Sequence, residues 1–381
     1  MKWEISTIGE HCTVTSSKRF HLSDRSQDGV PFYCSKEIIQ KVKGETVTEC
    51  DFIKEEFYES VKKQFGVPQC GDLLITTRGT YGVPYIYKDS DKFYFSDGNL
   101  TWLKDFDGGL DVKYLYYWIL SHEGQKKIDA IAKGTAQKAV PIASIKLLQL
   151  PLPPIIVQRQ IADILSAYDD LIENNQKQIN LLEEAAQLLY KEWFIDLRFP
   201  GHESTPIHDG IPEGWERKTV TDLLEIKYGK DHKALADGVI PVYGSGGIMR
   251  KVEPVLYSGE SVLIPRKGSL NNILYVTGDF WTIDTMFYSI PRVQNVAKYM
   301  YLFLSGLDMY SFNIGAAVPS MTVKILEGIH VLMPPTTILT AFEKAVAPFF
   351  DLKLLLSSKI ETAAQARDRL LPKLMSGEIK K

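Results

Sequence analysis

Arg78 stands in Thr76-Thr77-Arg78-Gly79-Thr80-Tyr81, directly after the strand-like run Gly71-Asp72-Leu73-Leu74-Ile75. A guanidinium on a short polar loop can make two parallel hydrogen bonds to a planar acceptor: a carboxylate, a phosphate, or the O6/N7 edge of guanine. Thr77 and Thr80 add hydroxyls to that loop, and Tyr81 adds a phenol. Downstream, Lys133-Gly134-Thr135-Ala136-Gln137-Lys138 is small, flexible and basic. There Lys133 and Lys138 suit phosphate oxygens, Gln137 suits an adenine edge, and Thr135 lies between them. A second set lies in the other half of the chain: Tyr243-Gly244-Ser245-Gly246-Gly247 with Arg250, and Arg266-Lys267-Gly268-Ser269-Leu270-Asn271-Asn272. Lys227, Lys230, His232 and Lys233 add a basic stretch. The expected contact residues are therefore Thr77, Arg78, Thr80, Tyr81, Lys133, Thr135, Gln137, Lys138, Lys230, Tyr243, Ser245, Arg250, Arg266, Lys267, Ser269 and Asn271. Arg78 and Arg266 could equally pair with a carboxylate inside the fold. The glycines at 244–247 could be a tight turn only, and the lysines ordinary solvated surface.

Catalytic signatures are missing. No G-x-x-x-x-G-K-[ST] run is present, so no ATPase site is expected. No Asn-Pro-Pro-aromatic tetrad, of the kind amino-methyltransferases use, occurs. Residues 244–247 lack the G-x-G-x-x-G spacing of a dinucleotide loop. Cys12, Cys34, Cys50 and Cys70 form no C-x-x-C pair and read as free thiols in a reducing compartment. His202 and His208 sit in the linker-like run 201–212 and read as solvated. No catalytic residue, metal or cofactor is expected. No apolar run reaches transmembrane length and no leader opens the chain, so a cytoplasmic protein is expected.

The loops above need elements to hold them, and the longest of these is 154–199. Ile161, Leu165, Tyr168, Ile172, Asn175, Ile179, Leu182, Ala186, Leu189 and Trp193 follow one another in alternating steps of four and three. A stripe so narrow and so long predicts a coiled-coil seam roughly 60–65 Å in length. Asn175 is its one polar break, a residue type that costs stability in a seam and fixes register; an edge position, simply solvated, is the other reading. The partner is in the same chain: Met333-Pro334-Pro335 opens a second helical run that continues to about Met375. Laying Pro154 on Pro335 puts Gly134 on Gly315, Ile179 on Ile360 and Leu189 on Leu370, with Lys353 and Arg367 falling where the first helix has Ile172 and Ala186. A register through Ala345, Phe349, Leu352, Leu356, Lys359, Ala363, Ala366 and Leu370 also fits.

The repeat extends beyond the helices. Trp3-Glu4 with Thr7-Ile8-Gly9-Glu10 is echoed after Trp215-Glu216, and Pro31-Phe32-Tyr33 by Pro241-Val242-Tyr243. The Arg78 loop is echoed by the Arg266 loop, and short helices are expected near 112–120 and 296–304. The first half carries extra residues, largely 35–65, which read as helical and charged. The fold expected is α+β, with two similar modules separated by two long antiparallel coiled-coil helices and related by an approximate two-fold. Its parts are 1–150, a helix over 151–200, 201–330, and a helix over 331–381. The net charge of −3 is unusual for a freestanding nucleic-acid binder, so positive charge must be local or shared with partners.

Module, helix, module, helix is a layout that resembles the specificity subunit of type I restriction-modification enzymes. The run 150–175, L-P-L-P-P-I-I-V-Q-R-Q-I-A-D-I-L-S-A-Y-D-D-L-I-E-N-N, is similar to that family's central conserved region, as is 181–194. I-P-E-G-W-E (211–216) and P-V-Y-G-S-G-G-I (241–248) resemble its target recognition domain, and 367–379 its distal conserved helix. The resemblance implies a non-catalytic reader of double-stranded DNA. Each module would read one half of an asymmetric, two-part target. The partners implied are two DNA-adenine methyltransferase subunits, which bind S-adenosylmethionine, and two ATP-dependent restriction and translocase subunits. Readers on a two-fold axis address half-sites one helical turn apart, ~34–36 Å, or a multiple of it, and the helices would hold that gap. A two-module coiled-coil adaptor that binds only proteins is the alternative.

Overall fold

The computed structural model describes all residues except 1–2, 22–23, 135–137, 316 and 379–381. The chain divides into two compact units. Unit 1 holds 1–175 with 358–381, and unit 2 holds 176–357. Each long helix is therefore shared between the two units rather than forming a body of its own.

Unit 1 begins with a strand, Glu4–Thr7, paired antiparallel to Gln149–Leu152 at the threshold of the first long helix. The Thr7 N–H donates to Glu10 at 2.9 Å, turning the chain into a short helix. A four-stranded antiparallel sheet follows, ordered Thr13–Thr15, Leu100–Lys104, Leu73–Thr76, Pro84–Ile86. A second sheet, Arg25–Ser26, Asp51–Ile53, Val30–Tyr33, Tyr94–Phe95, contains one parallel pair. The extra residues form helices Ser35–Val42 and Glu55–Gln64 around the strand Asp51–Ile53, and bury Tyr58 and Val61 against Phe32 and Tyr94.

Unit 2 repeats the plan. Glu216–Thr219 pairs with His330–Met333, and Thr219 caps the next turn through Asp222. An antiparallel sheet runs Leu224–Tyr228, Met286–Pro291, Ser261–Pro265, Leu274–Val276. The second sheet again has one parallel pair, here Asp237–Gly244 with Asp279–Thr282. Where unit 1 places its two extra helices, unit 2 has the strand Gly247–Val252 folded back on Asp237–Gly244. The expected short helices are Val112–Leu120 and Val296–Ser305.

The first long helix spans Ile155–Tyr190 and the second Thr336–Met375. In unit 1, Ile161 and Leu165 share a core with Leu374 and Met375. In unit 2, Ala186, Tyr190 and Phe194 share one with Val346, Phe350 and Phe342. Each pairing is antiparallel, because the start of one helix meets the end of the other. The register that lays Pro154 on Pro335 is the one observed. Phe342, Val346, Leu356, Ala363 and Leu374 are buried, whereas Leu352 and Lys359 of the competing register are exposed. The two cations that made this seam look irregular are paired across it: Arg367 with Asp169 in unit 1, and Lys353 with Glu183 in unit 2, each at 2.5 Å.

On the first helix Ile161, Leu165, Asn175 and Ile179 are buried, and Tyr168, Ile172, Leu182 and Leu189 are half-buried. Past Ala186 the buried positions become Tyr190 and Phe194 instead of Leu189 and Trp193. A 3.6-residue helix drifts against a seven-residue repeat, and the helix also widens into a π turn over Lys191–Ile195. Each module is tied to a helix by polar contacts. Gln158, fully buried, accepts from Asp111 N and donates to the carbonyls of Gly109 and Pro153 at 2.8–2.9 Å. In unit 2 the buried Lys298 ammonium bonds Glu260 at 2.9 Å and Glu343 at 2.6 Å.

Asn175 is only 4% exposed, and its amide nitrogen finds no partner among the described residues. Replacing it with leucine removes an unmatched donor from the seam, and we expect thermal unfolding to show a gain of about 1–3 kcal/mol. A loss of stability would show that the amide is satisfied.

Candidate nucleic-acid interface

In unit 1 the loop after the strand Leu73–Thr76 is held by its backbone. The Thr77 N–H donates to the Asn99 carbonyl at 2.7 Å, and the Thr77 carbonyl accepts from Val140 N at 2.9 Å. Thr77 is therefore buried and its neighbour Arg78 turned outward. Gly82 N and Val83 N bond the carbonyl and hydroxyl of Thr76, and Gly79 and Gly82 adopt φ of 72° and 78°, the left-handed region that closes the loop. Arg78 bridges to Ala139, while Lys133 and Ala139 exchange two backbone hydrogen bonds of 2.8 Å. Arg78, Lys133 and Lys138 thus stand exposed at one edge, with Thr80 exposed beside them. Tyr81 is half-buried, and its hydroxyl bonds Asp129, which pushes its pKa up. Thr135 and Gln137 lie outside the described residues.

Unit 2 builds the same edge with a shift of one residue. Met321 N donates to the Arg266 carbonyl at 2.9 Å, Lys267 bridges to Ser320, and Gly268 N donates to Pro319 O at 3.0 Å. Lys267, not Arg266, therefore stands in Arg78's place, and Arg266 stands in that of Thr77. Matching the two arginines by sequence was off by one position, because backbone hydrogen bonds fix the equivalence and side-chain type does not. Lys267 is exposed. Arg266 is half-buried: it donates to the Asp284 carbonyl at 3.2 Å and its guanidinium lies 5.3 Å from the Tyr228 ring centre.

The remaining candidates of unit 2 divide into frame and surface. Arg250 straps its hairpin by donating to the Leu235 carbonyl and to Asp237, both at 2.8 Å. Asn271 accepts from Met309 N at 2.8 Å and donates to Asp308 at 3.3 Å. Tyr243 is half-buried, edge-on to Phe280. The Ser245 carbonyl accepts from Asn272 at 2.8 Å, and its hydroxyl lies 2.9 Å from where a side chain on Gly268 would begin. The turn at 244–247 therefore sits against the Lys267 loop, and Gly268, at φ 88°, leaves room for that approach. Lys230 and Ser269 are exposed.

Sequence reading overlooked Lys18 and Arg19. Lys18 lies as far beyond the capping Thr7 as Lys230 lies beyond Thr219, so the internal repeat already carried the signal. Both residues are exposed; Arg19 reaches Asp97 at 3.8 Å, and the Arg78 guanidinium lies against Gly98. Arg19, Arg78, Lys133 and Ala139 are therefore contiguous.

One arrangement in unit 1 has the geometry of a hydrolytic triad. Ser6 Oγ lies 2.9 Å from His11 Nε2, and His11 Nδ1 lies 3.0 Å from Asp107. The Ser6 hydroxyl, however, donates to Glu10, so its proton is not directed at the imidazole. The group ties the amino-terminal turn to the 107–109 loop. Among the described residues, no group of three His, Cys, Asp or Glu is arranged to hold a metal, and no helix is long and apolar enough to cross a membrane.

The sequence matches the family model described as type I restriction modification DNA specificity domain twice, over residues 1–184 and 212–351. The chain belongs to this family of type I specificity subunits. It is 28% identical to the type I restriction enzyme MjaIX specificity subunit of Methanocaldococcus jannaschii, over 81% of this chain and 78% of that one. A putative MjaX specificity subunit from the same organism is 26% identical over 99% and 94% of the two chains. In fold, the chain is similar to the crystal structure of the type I restriction-modification S subunit from M. genitalium, with a TM-score of 0.60, 19% identity, and 98% and 96% of the chains covered. The two family matches coincide with the two copies of the repeated frame, so both edges described above are edges of specificity domains.

Proposed function

We propose that this specificity subunit reads an asymmetric, two-part target on double-stranded DNA, one part with each module, and contributes no catalytic group. One observation carries the reading: a single backbone frame presents different exposed side chains in its two copies. Arg78, with Lys133 and Lys138, occupies the edge in unit 1, and Lys267, with Ser269, occupies it in unit 2. Arg78 suits a guanine edge and the lysines suit phosphate. Equal frames with unlike contact residues suit two readers of unlike sequences. An adaptor for proteins gives no reason for two basic edges at matched positions of a chain whose net charge is −3.

The long helices act as the spacer that fixes the gap between half-sites. They also dock two DNA-adenine methyltransferase subunits, which carry S-adenosylmethionine, and the full assembly adds two ATP-dependent restriction and translocase subunits. Leu181, Leu188 and Ile195 support docking: they recur every seven residues and are 59–64% exposed, an apolar stripe of the kind a partner helix covers. Phosphate neutralisation is then shared with the partners, and the complex works in the cytoplasm, where the DNA is.

Two measurements test this. In gel shifts with the methyltransferase present, Arg78→Ala should weaken binding by about 1–3 kcal/mol and relax sequence preference in one half of the target, while Lys267→Ala acts on the other half and flattens the salt dependence. Loss spread evenly over both halves, or no loss, contradicts the assignment. Leu181→Lys together with Leu188→Lys should remove one of the two methyltransferase copies from the purified complex without lowering the melting temperature; retention of both copies places the docking face elsewhere.

A further inference from the structure

Where unit 1 carries its extra helices, unit 2 carries a β-hairpin, Asp237–Gly244 against Gly247–Val252. The two courses part directly after matched tyrosines, Tyr33 and Tyr243. Past Tyr33 the chain coils into the helix Ser35–Val42. Past Tyr243 it makes a two-residue turn, Ser245-Gly246, and runs back. The hairpin is braced at both ends. At its tip the Asn272 amide, from the loop that begins at Lys267, donates to the Ser245 carbonyl at 2.8 Å. At its base Arg250 donates to the Leu235 carbonyl and to Asp237. A braced two-stranded ribbon thus stands beside the exposed Lys267.

The ribbon turns apolar side chains to solvent. Its register shifts between Val242 and Tyr243, so that Met249 is an extra residue between the pairs Tyr243–Ile248 and Val242–Arg250. Ile248 and Met249 are consecutive, and both are exposed, at 60% and 56%. Met249 folds over Gly244, its sulfur 2.7 Å from where a side chain on that glycine would begin. Gly246, at the tip, is different. It is exposed, its φ lies outside the left-handed region, and a Cβ there would meet no atom of the described residues within 4 Å beyond its chain neighbours. Nothing inside the fold calls for a glycine at 246. A bare backbone at such a place lets a surface outside the chain come close.

The major groove of duplex DNA admits a two-stranded ribbon, and each base pair presents its own pattern there. The methyl group among those patterns is that of thymine; the minor groove carries none. An exposed isoleucine and methionine beside a basic edge therefore match thymine, as the lysine of that edge matches phosphate.

We propose, on the reading of this chain as a two-part DNA reader, that the hairpin enters the major groove at unit 2's half of the target and that Ile248 and Met249 recognise a thymine there through its methyl group. The two modules then differ in the element they turn to DNA as well as in the side chains of one loop, because unit 1 has a helix in the ribbon's place.

Gel shifts of the full chain with its co-expressed methyltransferase test this, on a target found by mapping methylated sites. Each thymine is replaced singly by deoxyuridine, which removes the methyl group and keeps the O4 acceptor. For the unaltered chain, the replacement should weaken binding by about threefold to tenfold at one or more thymines. Ile248→Ala with Met249→Ala should lose that response at thymines confined to one half of the target, and keep any response in the other half. Gly246→Leu should weaken binding on the order of tenfold without lowering the melting temperature. The proposal is overturned if the double variant responds to every replacement as the unaltered chain does, or if Gly246→Leu binds as tightly as before. It is overturned too if the double variant sheds methyltransferase and keeps its thymine response, which marks the pair as a protein contact. An unaltered complex with no preference among duplex sequences overturns the DNA-reading function itself.

Discussion

The structure depends on a seam between two antiparallel helices in which charge, as well as apolar surface, faces inward. Asp169 meets Arg367, and two heptads further along the first helix Glu183 meets Lys353, two heptads back along the second. A slip of either helix strands four partly buried charges, and a partly buried charge without its partner is costly. Asn175, which lies between Asp169 and Glu183 and is buried with no partner for its amide nitrogen among the described residues, adds a further position at which only one register is tolerable. Leucines at these places would bind the helices more tightly but would allow the pair to slide.

On this seam the protein mounts one frame twice. What is repeated is backbone hydrogen bonding: the closing strand pair, the capped turn, and the loop carbonyl that accepts from the residue ahead of the next short helix. That carbonyl is Thr77 in one unit and Arg266 in the other. What differs is the side chain pushed outward one residue later, arginine in one case and lysine in the other. Holding the loop and presenting a side chain are thereby separated, since the backbone of one residue holds the loop and its exposed neighbour is free to vary.

Much of this was legible in the sequence because it is periodic. The alternating steps of four and three exposed the first helix, and the matching Pro-Pro pairs exposed the second, with two registers left open for its facing residues. The competing register failed because it would have buried Lys359, which stands exposed, and exposed Phe342. Sequence reading went astray where one residue's offset decides. Tyr190 and Phe194 replace Leu189 and Trp193 because the helix drifts against its repeat and then takes a π turn. Arg266 resembles Arg78 in type but not in place. Arg250 and Asn271 look like donors for a ligand and are largely occupied by their own frame, because a motif shows which groups a loop carries and not which neighbours claim them. Lys18 was visible only to a comparison with Lys230.

If the helices are the spacer, lengthening both by one heptad at facing positions moves the readers apart by about 10 Å, which is about three base pairs. The direct test is to map the methylated sites of the complex built on such a chain. The account requires both half-sequences to be kept and the gap between them to grow by about three base pairs. An unchanged gap, or altered half-sequences at the old gap, would contradict it.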